Sequence, residues 1–154
     1  YGQHISNGIL FNLESPRRAS NFVTAKIVKN AILIKKGRQN KLTLGNLDSK
    51  RDWGHAKDYV RAMHSILSMD EPGEFVISTG SAHSVRDLCQ AVFSRLNLDY
   101  LQYVDQDERY MRPNELDYLC GDSSKARSEL KWTPEYDFEK LIDEIVEYWL
   151  STID

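Results

Sequence analysis

The stretch Asn7-Gly8-Ile9-Leu10-Phe11-Asn12 is an apolar run that halts at an asparagine and opens at once into Glu14-Ser15-Pro16-Arg17-Arg18 and Asn21-Phe22-Val23-Thr24. Such a run reads as a buried strand, and strands of α/β sheets meet their ligands at the ends where they stop. The polar tip at Asn12 and the two adjacent guanidiniums point to a ligand that carries phosphates. The run begins so close to Tyr1 that the chain is expected to start partway through a domain.

With 154 residues and 41% hydrophobic content, the chain can build one core of ordinary size. No stretch approaches the ~20 apolar residues of a membrane span, and no amino-terminal segment has the pattern of a signal peptide. A formal charge of -3 argues against a dedicated nucleic-acid binder. Cys89 and Cys120 are too few for a metal cage or a disulfide framework, which suits a reduced, cytoplasmic setting.

Residues 5-12 are expected to form a strand apolar on both faces, central in its sheet. Val23, Ile27, Ala31 and Ile34 recur at helical spacing up to Gly37, and Leu42-Thr43-Leu44 reads as a short strand before a polar stretch. A second helix from about Ala56 to Ser68 is expected to bury Tyr59, Val60, Met63, Ile66 and Leu67. Pro72-Gly73 precedes a strand over 74-78. Ser84, with Asp87 three residues on, looks like the cap of a helix carrying Val85, Leu88, Ala91, Val92 and Leu96. Residues 100-104 suit an edge strand. Asp122 is expected to cap a short helix ending near Leu130, and Asp137 a final helix with Phe138, Leu141, Ile142, Ile145, Val146 and Trp149.

This order is α/β. The strands at 5-12 and 74-78 nevertheless have too few companions to be central in a sheet. Each backbone group left unpaired costs on the order of 1-3 kcal/mol. The chain therefore reads as the carboxy-terminal part of a larger fold.

Several blocks carry a specific resemblance. Asn7 to Asn12, Glu14 to Arg18, Asn21 to Thr24, Leu44-Gly45-Asn46-Leu47-Asp48, Lys50 to Val60, Arg112-Pro113 with Glu115, Gly121-Asp122 and Leu130-Lys131-Trp132 stand in the order of the GDP-mannose 4,6-dehydratase family. The resemblance implies a carboxy-terminal portion of an extended short-chain dehydrogenase, with end strands of a Rossmann sheet plus the mixed α/β substrate-binding domain. On that basis residues 1-154 are the nucleotide-sugar-binding part of a larger dehydratase. Residues 5-12 and 74-78 are then strands of a Rossmann sheet whose other strands lie upstream.

The activity implied is an NADP-dependent lyase reaction, converting GDP-mannose to GDP-4-keto-6-deoxymannose on the way to GDP-fucose. Hydride leaves C4 for NADP, a base takes the C5 proton, water departs from C6, and the hydride returns to C6. The family's catalytic Thr-x-Glu and Tyr-x-x-x-Lys lie upstream of the matching segment, and no G-x-x-G-x-x-G loop occurs among the eight glycines. The chain alone is thus expected to be inactive and to need the Rossmann half or a homo-oligomer. Alternatives are a non-catalytic nucleotide-sugar-binding remnant and a sister dehydratase or reductase.

By resemblance, Arg18 contacts NADP, while Asn12, Val23, Lys26, Arg51, Arg112 and Glu115 contact the GDP-sugar. By residue type alone, Asn12 could equally be a turn former, Val23 core, Lys26 solvated, and Glu115 half of a loop ion pair. Arg17 suits solvent. Leu13 and Ala25 depart from the family's usual His and Arg, removing polar contacts. Asp52, Trp53, Gly54 and His55 are expected to organise the turn into the second helix. Tyr136 and Lys140 have Tyr-x-x-x-Lys spacing, but Asp137 as a cap leaves Tyr136 outside the helix.

Overall fold

The structure is a computed structural model that describes residues 3–111 and 114–153. Among them, eight short strands and five α-helices alternate: β1 (Asn7–Leu10), β2 (Asn12–Glu14), α1 (Val23–Lys35), β3 (Leu42–Leu44), β4 (Lys50–His55), α2 (Ala56–Leu67), β5 (Glu74–Ile77), β6 (Ala82–Ser84), α3 (Val85–Arg95), β7 (Val104–Gln106), β8 (Tyr118–Leu119), α4 (Ser124–Glu129) and α5 (Phe138–Thr152).

The opening extended segment changes partner midway. β1 pairs in parallel with β5, and the Phe11 amide still donates to the Ile77 carbonyl at 3.0 Å. β2 then pairs in parallel with β4, Asn12 opposite Trp53. β4 also carries β6 antiparallel and β8 parallel, so it is the hub of the largest sheet. β3 and β7 form a separate parallel pair.

The expectation of a strand buried on both faces fails for β1. Its first three residues are exposed, because only β5 flanks it among the described residues. The polar stretch before α2 hides β4, whose sequence lacks apolar alternation and which is held by pairing on both edges. Residues 100-102 form a 3-10 turn, and the strand begins at Val104.

Two apolar cores result. The larger packs α1, α3 and α5 together, with Ile27, Ile32, Leu88, Phe93, Leu141 and Ile142 all buried. Ser84 and Asp87 close a full capping box on α3, and the Asp137 side chain accepts the Lys140 amide at 2.8 Å to cap α5. The smaller core sets Tyr59, Ala62 and Ile66 of α2 against Phe75, Ile77, Ala126 and Trp132.

α2 departs from expectation, since Val60, Met63 and Leu67 are exposed by 61%, 39% and 71%. Its apolar residues span two faces, and only one of them meets the sheet. At α4, Asp122 receives the Ser124 amide at 2.9 Å from just outside the helix, while Ser123 holds the capping position.

Candidate functional site

A cleft of about 410 Å³ opens where β2, the start of α1, the segment after β3, β4 and the turn after β7 meet. Side chains on a strand alternate faces, so Asn12 and Glu14 of β2 look into it together, as do Arg51 and Trp53 of β4. Leu13 points the other way and packs on the smaller core. On α1, Val23 and Lys26 are three residues apart and share the cleft face.

The charges inside are held in place. The Arg51 guanidinium lies 3.2 Å from the Glu115 carboxylate, and its other arm donates to the Lys50 carbonyl at 2.8 Å. Lys26 Nζ donates to the Thr43 carbonyl at 3.1 Å and stands 5.2 Å from the Tyr110 ring centre. Glu14 is 2% exposed and accepts the Thr24 hydroxyl at 2.5 Å. Burial pushes its carboxyl pKa up, against the opposing pull of Thr24 and Arg18.

Arg18 lies next door. It lines a smaller cleft of about 320 Å³ with Phe11, Leu13 and Leu119, and Asn12 borders both spaces. The Arg18 guanidinium stacks on Phe22 at 3.5 Å from the ring centre. Its Nε is buried and makes no hydrogen bond, standing 3.5 Å from Glu14 Oε2.

The structure thus brings Asn12, Val23, Lys26, Arg51 and Glu115 to one cleft and Arg18 to its neighbour. Arg112 lies outside the described residues. Arg17 is exposed, and Ala25 is buried in the body of α1, away from the cleft lining. Sequence reasoning passed over Glu14, Phe22 and Tyr110. Glu14 was within reach, because it stands two residues beyond Asn12 on the same strand face.

The Asp52 to His55 block acts more widely than a local turn. Asp52 is fully buried and accepts the Thr79 amide at 2.9 Å, the Thr79 hydroxyl at 2.6 Å and the Gly80 amide at 2.9 Å, tying β4 to the loop after β5. Trp53 lines the cleft and stacks on Phe138. A Cβ on Gly54 would lie 2.8 Å from the Tyr59 ring, so close packing explains this glycine. His55 Nδ1 accepts the Lys57 amide at 3.0 Å as the cap of α2, while its Nε2 stands 3.1 Å from Glu144. Burial lowers its pKa and favours the neutral ring. Tyr136 stacks on His55 and takes its hydroxyl contact from Lys57, with Lys140 turned to the Glu135 carbonyl.

Parallel strand pairs alternating with helices, and a cleft lined from their ends, place the chain among α/β proteins. Its fold matches that of RMD from Pseudomonas aeruginosa complexed with NADPH, with a TM-score of 0.90 at 23% identity over 99% of this chain and 50% of that one. The dTDP-glucose 4,6-dehydratase of Bacillus anthracis, in complex with NAD, gives a TM-score of 0.79 at 20% identity over 94% of this chain and 44% of that one. Residues 1–145 match the family model described as GDP-mannose 4,6 dehydratase, and the chain belongs to that family. It is 48% identical over 147 residues to GDP-mannose 4,6 dehydratase 2 of Arabidopsis thaliana, covering 96% of this chain and 39% of that protein. To the GDP-mannose 4,6 dehydratase of Homo sapiens it is 44% identical over 163 residues, covering 95% of this chain and 44% of that protein. The chain spans less than half the length of these relatives.

Proposed function

We propose that this chain is the GDP-sugar-binding portion of a GDP-mannose 4,6-dehydratase, in which residues from several separate segments grip the guanosine diphosphate end of the substrate. The observation that carries this reading is the meeting of Asn12, Val23, Lys26, Arg51 and Glu115 at one cleft. Two cations suit a diphosphate, and a guanidinium offers it a planar fork. Glu115, released from Arg51 when phosphate takes its place, is free to accept from ribose hydroxyls. Until then the pair holds both side chains near their working positions.

The family's cofactor is NADP, and the residues present fit one part of it. Arg18 has a buried, unbonded Nε and a ring-stacked guanidinium at a cleft that shares Asn12 with the substrate cleft. That suits a cofactor phosphate beside the sugar. When bound, NADP supplies the acceptor and donor of hydride. This chain's part is to hold and orient the nucleotide sugar, and the proton and hydride chemistry belongs to residues outside it.

The open edge of β1 and the apolar stripe Val60, Met63 and Leu67 of α2 support a sheet that continues into further strands, with a helix over that stripe. Residues 5-12 and 74-78 are then strands of one Rossmann sheet. The partner covering these surfaces is the remaining sheet, in the same polypeptide or another. Among the described residues no helix is long and apolar enough to cross a membrane.

Calorimetry tests the reading. GDP and GDP-mannose are expected to bind, CDP much more weakly, and GDP-mannose with NADP to give no keto sugar on this chain alone. Arg51→Ala is expected to weaken GDP by about 10- to 100-fold, the worth of a charge-assisted hydrogen bond. A folded chain that ignores GDP, or takes CDP equally well, overturns the proposal.

A further inference from the structure

The cleft holds an aromatic side chain that the preceding reading leaves idle. Tyr110 lines the cleft and is 55% exposed, so it stands toward the opening of the cleft. The 3-10 turn that carries it, Glu108–Tyr110, buries none of its residues, so apolar packing does not fix its place.

Polar and backbone contacts fix it instead. The Asp107 amide donates to the Leu44 carbonyl at 2.9 Å, and the Tyr110 amide to the Asp107 carbonyl at 3.1 Å. The Asp107 carboxylate caps the turn at the Arg109 amide, 2.9 Å away, and receives the Arg109 guanidinium at 2.6 Å. Gly45 makes the seat, since a Cβ there would lie 2.4 Å from the Tyr110 carbonyl oxygen and 3.1 Å from the Met111 amide nitrogen. An ordinary side chain at position 45 would push the turn off the cleft. A well-anchored turn thus presents a largely bare ring at the cleft mouth.

The surroundings of the ring suit a flat heterocycle. Val23, Leu44 and Val85 give the cleft apolar wall, with Lys26 Nζ 5.2 Å from the Tyr110 ring centre. Lys26 uses one of its three N–H groups on Thr43, which leaves others for a ligand's polar edge or phosphate.

We propose that Tyr110 is the stacking platform for the nucleobase of the nucleotide sugar, seated by Gly45 and flanked by Lys26. This inference rests on the cleft being a nucleoside-diphosphate site. It assigns base affinity to ring stacking, which a purine satisfies better than a pyrimidine because its face is larger, while Arg51 and Lys26 serve the phosphates.

Titration calorimetry on the whole chain with GDP, UDP and inorganic pyrophosphate tests it, using the wild type, Tyr110→Phe and Tyr110→Ala. Tyr110→Ala is expected to weaken GDP about tenfold or more, and UDP less, with pyrophosphate unchanged. Tyr110→Phe, which keeps the ring, is expected to stay within about threefold of wild type for GDP. Because the ring is exposed, all three proteins should melt alike. Equal GDP affinities in wild type and Tyr110→Ala overturn the stacking role, as does a Phe variant as weak as the Ala variant. Pyrophosphate weakened in parallel with GDP would assign Tyr110 to the phosphates and also overturn it. A wild-type chain that binds neither GDP nor pyrophosphate removes the cleft reading itself, and this inference with it.

Discussion

Glu14 shows how one residue can serve both clefts. It stands on β2 facing the larger cleft, accepts the Thr24 hydroxyl, and lies 3.5 Å from the Arg18 guanidinium of the neighbouring cleft. Burial is the largest influence on its carboxyl and raises the pKa above the ordinary 4.5. The folded protein therefore holds this proton more tightly than the unfolded chain does. The group's contribution to stability is full below the unfolded value and is lost as pH rises through the raised folded value. Glu14→Gln keeps an acceptor for Thr24 and never ionises. Its melting temperature is expected to gain on wild type as pH rises from about 4 toward neutrality, then level off. A gap independent of pH in scanning calorimetry would show that no desolvation penalty falls on Glu14. Asn12 was legible as a residue of the cleft because an apolar run ends there. The strand spacing put Glu14 on the same face, but its burial was not legible, because an acidic residue in a loop-like motif gives no sign that its side chain will be buried.

At the scale of elements, α2 separates what a periodic pattern can say from what it cannot. Its helical period was clear, and so were the caps of α3 and α5, because these depend on residues within a turn of one another. Which apolar residues lie inside was not clear. Tyr59, Ala62 and Ile66 meet the sheet, while Val60, Met63 and Leu67 face outward. Urea unfolding should separate the two faces. Ile66→Ala is expected to cost about 2–5 kcal/mol, and Leu67→Glu to stay within about 0.5 kcal/mol. A large loss from Leu67→Glu would mean that this stripe is already covered. β4 is the converse case. Lys-Arg-Asp-Trp-Gly-His has no alternation to mark a strand, and partners from three other strands make it one.

At the scale of the whole molecule, exposed apolar side chains gather at β1 among other places. Ile5 and Ile9, 66% and 54% exposed, lie in or beside β1, whose outer edge has no partner among the described residues. Such an edge is a template for pairing with another strand. The isolated chain is expected to self-associate as its concentration rises, and Ile9→Lys to reduce this, as read by light scattering after size exclusion. Scattering masses that are independent of concentration and identical for both proteins would count against an adhesive edge. The sequence by itself determined the helices, the caps of α3 and α5 and the family motifs, because each depends on residues close along the chain or on a fixed order of blocks. Only the tertiary structure decided that Lys26, Arg51 and Glu115 share a cleft, that Tyr110 stands at its mouth, and that β1 keeps one edge unpaired among the described residues. These follow from strand pairings and side-chain contacts between distant segments, such as Arg51 with Glu115 across 64 positions. Local periodicity carries no record of which distant segment a strand or side chain will meet.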